Sequence, residues 1–440
     1  MAKPQFSQIA RISVQHSDSF KFGGTKSALI CAIFLLGFAA TIGRIYKQYQ
    51  TPGPFDANNV GFCDFHNGAY FPSLAFLDRV SPYGDEYAKQ FPVARQIPFY
   101  SPSVLILHLP FALLPLRIAE IAFFIFLIGL LLALAWLTLH FVGVKPRWQP
   151  LLLVASAITY SRSGHNTLFN GYFTFELIIG TLLALHYGKS RPTLAALGVL
   201  LASGKPTYVI PLGILMIFRG HYRAVLLGGL VSAAVALAGF AWLLSDSSVS
   251  DLIEDVRAGQ ASHLADPNEQ PLNSWVRVDL LAIYAKWTNW NPSELTQLAV
   301  MSVLMLVPCA VLFWLRNKLE DDGAGGLIGA VCGLTMMVAL YHHFYDALVI
   351  IAPCAGLALC YGSWQRVGKV ERGVLLTLML IPLFNYTSSE FFISRLNLEG
   401  FGYLVITSIN GVALAVALVL ACVVAIKVGR NLKRNAPAID

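Results

Sequence analysis

Between residues 61 and 70 the chain reads Gly-Phe-Cys-Asp-Phe-His-Asn-Gly-Ala-Tyr, which brings Asp64, His66 and Asn67 close together, ahead of Ser81-Pro82-Tyr83. A carboxylate among aromatic side chains is partly desolvated and can take the proton of a hydroxyl nucleophile, whereas an ordinary loop acid is simply solvated. Four other places carry comparable chemistry. Gly164-His165-Asn166 opens a short polar turn that runs to Gly171 and either caps its flanking helices or binds hydroxyls through Asn166 or Asn170. Asn273, Trp275 and Arg277 share a polar segment with Tyr284, Trp287 and Trp290. Those aromatic rings form either an interfacial belt or a stacking surface for a sugar. His342 and His343 are adjacent, with Asp346 nearby, at the edge of an apolar run. Ionisable groups at such a boundary are functional candidates by default.

The fourth place is Lys205, which lies between Gly204 and Pro206 inside an otherwise apolar stretch. A lysine there costs about 2.5 to 3.5 kcal/mol on insertion unless it faces water or an anion, or snorkels to the headgroups. Pro206 suits the first turn of a following helix, whose free amides would add positive potential beside the ammonium. A phosphate fits that combination, with Arg277 in support. No Asp or Glu precedes Glu176 in the second polar stretch, so the acid pair that a divalent cation would want is missing. Neither a metal nor a cofactor is expected.

The elements that must position these groups are membrane helices. The 440 residues are 56% hydrophobic and only 12% charged. Runs such as 27–46, 118–141 and 401–426 approach or exceed the ~20 apolar residues that cross a hydrocarbon core, and lipid forces them to be helical. The net charge of +7 arises from short Lys/Arg clusters between such runs, which argues for topology signals and against nucleic acid. Placing all clusters on one side leaves both termini cytoplasmic. The expected organisation is an all-α polytopic protein of about twelve spans: a cytoplasmic tail at 1–26, one transmembrane domain at 27–427, and a second tail at 428–440. Residues 47–100 and the acid-rich 245–295 become long external loops. Residues 101–115, interrupted by Pro102, Pro110 and Pro115, are expected to be re-entrant or interfacial, and residues 193–218 to form two half-helices meeting at Gly204-Lys205-Pro206. Six of the seven cysteines fall in or beside apolar runs, so no disulfide framework is expected.

In chain order, Asp64 just past the first span, Ser81-Pro82-Tyr83, Gly164-His165-Asn166, Lys205-Pro206, Asn273-Ser274 with Arg277, and His342-His343 before a span together resemble the GT-C glycosyltransferases. More narrowly they are similar to the polyprenyl-phosphomannose-dependent family 87 mannosyltransferases, although His165 stands where that family tends to have Gln. The resemblance implies a GT-C-like fold and sugar transfer, with inversion, from a polyprenyl-phosphate donor to a lipid or glycan acceptor on the outer face of a bacterial inner membrane. Asp64 would be the general base and His342 and His343 would belong to the catalytic group. Lys205 and Arg277 would hold the donor phosphate, and His66, Asn67, Tyr83, His165, Asn166, Asn273 and Trp275 the substrates. The competing expectation is a lipid-linked-sugar flippase, which the lack of an internal repeat and the external placement of the polar residues disfavour.

Overall fold

The computed structural model describes residues 23–49, 62–93, 100–319 and 321–434. The described chain is 78% helix and has no strand. Among the described residues five helices are long and apolar enough to cross a membrane: α1 (Gly24–Tyr49), α3 (Leu116–Phe141), α9 (Tyr222–Leu243), α12 (Glu294–Leu315) and the last, α16 (Gly400–Arg434). Around them lie α2 (Pro102–Ala112), α4 (Trp148–Tyr160), α5 (Arg162–Asn170), α6 (Thr174–Tyr187), α7 (Pro192–Ala202), α8 (Pro206–Phe218), α10 (Val249–Ala265), α11 (Leu280–Thr288), α13 (Leu327–Ala339), α14 (Ile351–Ala358) and α15 (Lys369–Phe384).

Five full-length spans stand against the expected count of about twelve, because proline and glycine cut the apolar runs short. At ~1.5 Å per residue, an 11-residue helix such as α2 or α7 covers about 16 Å, half of a ~30 Å hydrocarbon core. The break at Gly204-Lys205-Pro206 falls where the sequence places it: α7 ends at Ala202 and α8 starts at Pro206. The start of α2 meets this break, since the Ser101 amide donates to the Gly204 carbonyl at 3.1 Å. The expected polar turn at 164–171 is instead α5. Ser161 caps it by accepting from the Gly164 amide at 2.9 Å, and Gly171, at φ 73°, ends it in the left-handed conformation that glycine adopts without strain.

Packing among the short helices relies on close backbone approach. A β-carbon on Gly180 of α6 would sit 2.7 Å from the Gly198 carbonyl oxygen of α7, and one on Gly198 would sit 2.5 Å from that of Gly180. Small residues at a crossing let two helices touch in an apolar medium that offers no hydrophobic driving force between them. Of the two expected loops, 245–295 is largely helical, comprising α10, α11 and their connection. Lys286 of α11 is buried beneath it and donates to the carbonyls of Thr407 at 3.2 Å and Ser274 at 3.3 Å. Burial pulls the Lys286 ammonium down to about 8. In the loop at 47–100, α1 continues to Tyr49, and residues 50–61 and 94–99 lie outside the described residues, as do 1–22 and 435–440 of the two expected tails.

Candidate functional site

Asp64 sits in a single helical turn, Cys63–Phe65, that runs into a π-helical turn, His66–Tyr70. Phe65 is fully buried and stacks on Phe123 of α3 with ring centroids 4.3 Å apart. Beside it His66 Nε2 meets Glu120 Oε1 at 2.6 Å, and Arg117 reaches the other Glu120 oxygen at 3.1 Å. His66 therefore points into α3 and pins the turn that carries Asp64. Helix α5 braces the opposite side: a β-carbon on Gly171 would lie 2.5 Å from the Phe62 ring and 2.8 Å from the Phe65 side chain.

The turn opens onto a cavity of about 460 Å³. Its walls come from the Asp64 turn, the start of α8, the connection after α10, the first turns of α12 and the segment between α13 and α14. Five of the residues singled out in the sequence line it: Asp64, Asn67, Lys205, Arg277 and His343. Asn67 Oδ1 and Thr207 Oγ1, also at the cavity wall, are buried and take no hydrogen bond among the described residues.

Behind Lys205 lies a carboxylate hub. Asp346, fully buried, accepts at Oδ2 from Lys205 Nζ at 3.3 Å, from His342 Nδ1 at 2.9 Å and from the His343 amide at 3.2 Å. At Oδ1 it accepts from the Tyr208 hydroxyl at 2.7 Å. His342 thus backs the hub and stays out of the cavity. Lys205 Nζ lies 5.6 to 5.8 Å from the ring centroids of Tyr172, Tyr208, Tyr341 and Tyr345, a π-rich surround that favours the charged ammonium. The snorkelling alternative does not describe this lysine, which is 4% exposed.

Arg277 chelates Asp279 at 2.9 and 3.0 Å and donates to the Glu269 carbonyl at 2.9 Å, with its guanidinium 4.9 Å from the Tyr341 ring centroid. Backbone pairing holds this segment to the wall: the Val278 amide donates to the His342 carbonyl and the Phe344 amide to the Val276 carbonyl, each at 3.0 Å. Arg277 and His343 face each other across that bridge.

The remaining sequence candidates stand away from the cavity. The Tyr83 hydroxyl donates to the Tyr100 carbonyl at 2.6 Å, and Tyr100 in turn shares a 2.8 Å hydrogen bond with Tyr172, so Tyr83 supports a lining residue. His165 Nδ1 lies 3.4 Å from Thr41 of α1, and Asn166 accepts from Asn170 at 3.4 Å. Asn273 donates to Gln270 at 2.8 Å on the surface, and Trp275 stacks over Phe344 at 6.3 Å. Conversely, Glu269, His263, Tyr172, Tyr341 and Tyr345 line the cavity without having been singled out. Glu269 was one of several acids in an acid-rich segment, the aromatic run around the paired histidines hinted at Tyr341 and Tyr345, and Tyr172 follows the polar stretch that ends at Gly171. Among the described residues no group of three His, Cys, Asp or Glu side chains is arranged to hold a metal ion.

No curated protein and no solved structure matches the chain. Its residues 99–340 match glycosyltransferase family 87. That stretch is more than half of the sequence and contains the start of α8, the segment after α10 and the wall up to Leu340, so the chain belongs to glycosyltransferase family 87.

Proposed function

We propose that the chain transfers a sugar, mannose before other hexoses or arabinofuranose, from a polyprenyl-phosphate donor to a hydroxyl of a lipid or glycan acceptor. Asp64 is the general base and the anomeric centre inverts. The observation that carries this reading is one cavity with a carboxylate, Asp64, on one wall and a cation at a helix start, Lys205, on another. The acceptor oxygen attacks the anomeric carbon as its proton passes to Asp64, and the bond between that carbon and the phosphate oxygen breaks. The leaving group departs as an anion, so the site needs positive potential there more than a general acid. Lys205 supplies it with protons not directed at Asp346, and the open amide end and buried hydroxyl of Thr207 add donors at the start of α8.

A lipid-linked donor accounts for the side of the cavity between α8 and α12. Leu298 lines the cavity yet is 58% exposed, as is Ile210 on α8, so the polar site continues directly into an apolar outer face along which a prenyl chain would lie. In this reading His342 acts through Asp346, Asn67 meets a sugar hydroxyl, and Tyr83, His165, Asn166, Asn273 and Trp275 support the walls and the acceptor approach. The Lys/Arg clusters put both termini in the cytoplasm and the cavity, with 47–100 and 245–295, outside a bacterial inner membrane, the short helices pairing to bring the crossings to about twelve.

The test is transfer by the purified protein in lipid nanodiscs from polyprenyl-phosphate-mannose against GDP-mannose and UDP-sugars. The lipid-linked donor is expected to be used and the nucleotide sugars not. Efficient transfer from a nucleotide sugar would refute the donor class, and full activity of Asp64→Asn would refute the base.

A further inference from the structure

One group at the cavity has no part in that mechanism. Glu269, 1% exposed, has its carboxylate 3.1 Å from His343 Nε2 and 3.5 Å from His263 Nε2 and receives the Tyr341 hydroxyl. His343 continues the chain of contacts from its other nitrogen, Nδ1, which is 3.0 Å from the Tyr345 hydroxyl. Glu269, His263, Tyr341, His343 and Tyr345 all line the cavity that Asp64 lines.

The direction of these hydrogen bonds follows from what each group can do. An ionised carboxylate only accepts, and Tyr341 gives Glu269 its hydroxyl proton, so in the 2.9 Å hydrogen bond between the Tyr341 oxygen and His343 Nε2 the proton belongs to His343, with Glu269 3.1 Å from the same nitrogen. Burial, reinforced by the charge of Glu269, pushes the Tyr341 hydroxyl well above its usual range, so Tyr341 also stays protonated and donates to Glu269. Burial likewise pushes the Tyr345 hydroxyl well above its usual range, so it keeps its proton and donates it to His343 Nδ1, 3.0 Å away. The Tyr345 oxygen then turns only lone pairs toward the cavity. What it can bind is a donor, a hydroxyl group, and not a phosphate oxygen.

We infer that Glu269, through His343, orients the Tyr345 hydroxyl as a hydrogen-bond acceptor for a sugar hydroxyl, making Glu269 a positioning residue and Tyr345 a specificity determinant. The inference rests on the glycosyl-transfer reading only for the identity of that hydroxyl-bearing ligand. It divides the cavity by chemistry: the start of α8 presents Lys205 to an anion, and the Tyr345 wall presents an acceptor that a phosphate could not use. The His343 amide is fixed by Asp346 and the main chain beyond it by the bridge to the Arg277 segment, while contacts at both ring nitrogens, to Tyr341 and to Tyr345, hold the imidazole beside Glu269.

Two measurements on the full-length protein in lipid bilayers test this. The first is solid-state nitrogen NMR of histidine-labelled protein, with the His343 signals assigned by their loss in His343→Gln. Neutral His343 is expected as the single Nε2–H tautomer in the wild type and as a tautomer mixture in Glu269→Gln, whose amide offers both a donor and an acceptor. A wild-type proton on Nδ1, or an unchanged spectrum in Glu269→Gln, overturns the relay whether or not the protein transfers sugar. The second uses polyprenyl-phosphate-mannose with n-octyl mannoside as the acceptor probe. Tyr345→Phe and Glu269→Gln are each expected to raise the acceptor KM by ~10-fold with kcat within about threefold, the scale of one hydrogen bond. In the double variant the losses should not add, since both remove the same contact. Additive losses, or a fall in kcat at constant KM, overturn it. Absence of all transfer with the expected tautomer intact would overturn the proposed function and leave the relay standing.

Discussion

The two ends of α8 carry the same device in different company. At the N-terminal end Lys205 pairs with buried Asp346 beside His342. At the C-terminal end Arg219 pairs with Asp321, and His221 Nε2 meets the other Asp321 oxygen at 3.0 Å. Each pair adjoins a cavity, about 460 Å³ at the first and about 340 Å³ at the second. At the far end, however, Arg219 also donates to the Leu185 carbonyl at 3.2 Å, and Asp321 accepts from the Gly323 amide at 3.0 Å. That pair ties α6, α8 and the entry to α13 together through main-chain groups. At the near end Asp346 is the fully bonded partner, whereas Lys205 faces an open cavity bounded by tyrosines and by Asp64. A buried ion pair is thus a structural rivet where its members also bind main-chain groups of neighbouring elements, and a binding element where the cation faces a site that carries a carboxylate and hydroxyls.

The sharpest test of this contrast lies outside both pairs. Asp64→Asn should insert normally and lose ~10²- to 10⁴-fold in transfer, the range for a positioned base, while Asp78→Asn on the neighbouring surface should stay near wild type. Retained activity would move the chemistry to another wall of the cavity. Next comes Arg219→Ala, which leaves Asp321 with only His221 and the Gly323 amide and should cost about 3 kcal/mol of stability, seen as a clear fall in the melting temperature of the purified protein. Per folded molecule its transfer kinetics should match the wild type; a selective loss of kcat would show that the far end is coupled to the chemistry. Lys205→Gln should do the reverse, raising the KM for the lipid donor by ~10-fold with a smaller effect on stability, because Asp346 retains Tyr208, His342 and the His343 amide. An unchanged donor KM would make Lys205 a rivet like Arg219.

The smallest effect separates two neighbouring acids at the far end. Burial would raise the Asp321 carboxyl, but Arg219 and His221 hold it well below the usual carboxylate range, whereas burial pushes Asp322 up to about 6 despite its hydrogen bonds from Ser363. A raised carboxyl favours the folded state when protonated, so its contribution is full below about 4 and is lost as the pH rises through about 6. The melting-temperature penalty of Asp322→Asn should therefore shrink by a few degrees between pH 4.5 and pH 7. Taking the difference from wild type cancels the opposing titration of His221, whose value burial lowers. A pH-independent penalty would remove Asp322 from the account.

Much of the near end was readable before any coordinates, for a local reason. A lysine followed by proline in an apolar run has few solutions, so the helix break and the ion at its start both follow from residue type. Asp64, bracketed by Phe62, Phe65 and glycines, was similarly marked. Glu269 was not, because nothing in 245–295 separates it from Asp251, Glu254 or Asp266; only its approach to His343, far along the chain, does so. His342 and His343 illustrate the same limit. Adjacent in sequence, they turn to opposite tasks, one holding Asp346 and one facing the cavity, and which does which is set by the bridge to Arg277. Helix α5 was read as a turn because its polar residues and small size hid the Ser161 cap, and His165 and Asn166 went with it into the supporting layer.

The bridge between the Arg277 and His343 segments is made by main-chain groups alone. Its register is set by main-chain donors and acceptors, and the buried Val276 and Val278 side chains seat the segment in the core on either side of Arg277. Over generations such a joint lets the exposed faces of α10 and α11 drift or exchange the residues they show to an acceptor while Glu269, Arg277 and the wall opposite them stay in alignment. Divergence in acceptor preference among descendants of this chain should accordingly accumulate on the exposed faces of α10 and α11, and leave Glu269, Arg277 and the stretch from Tyr341 to Asp346 nearly untouched.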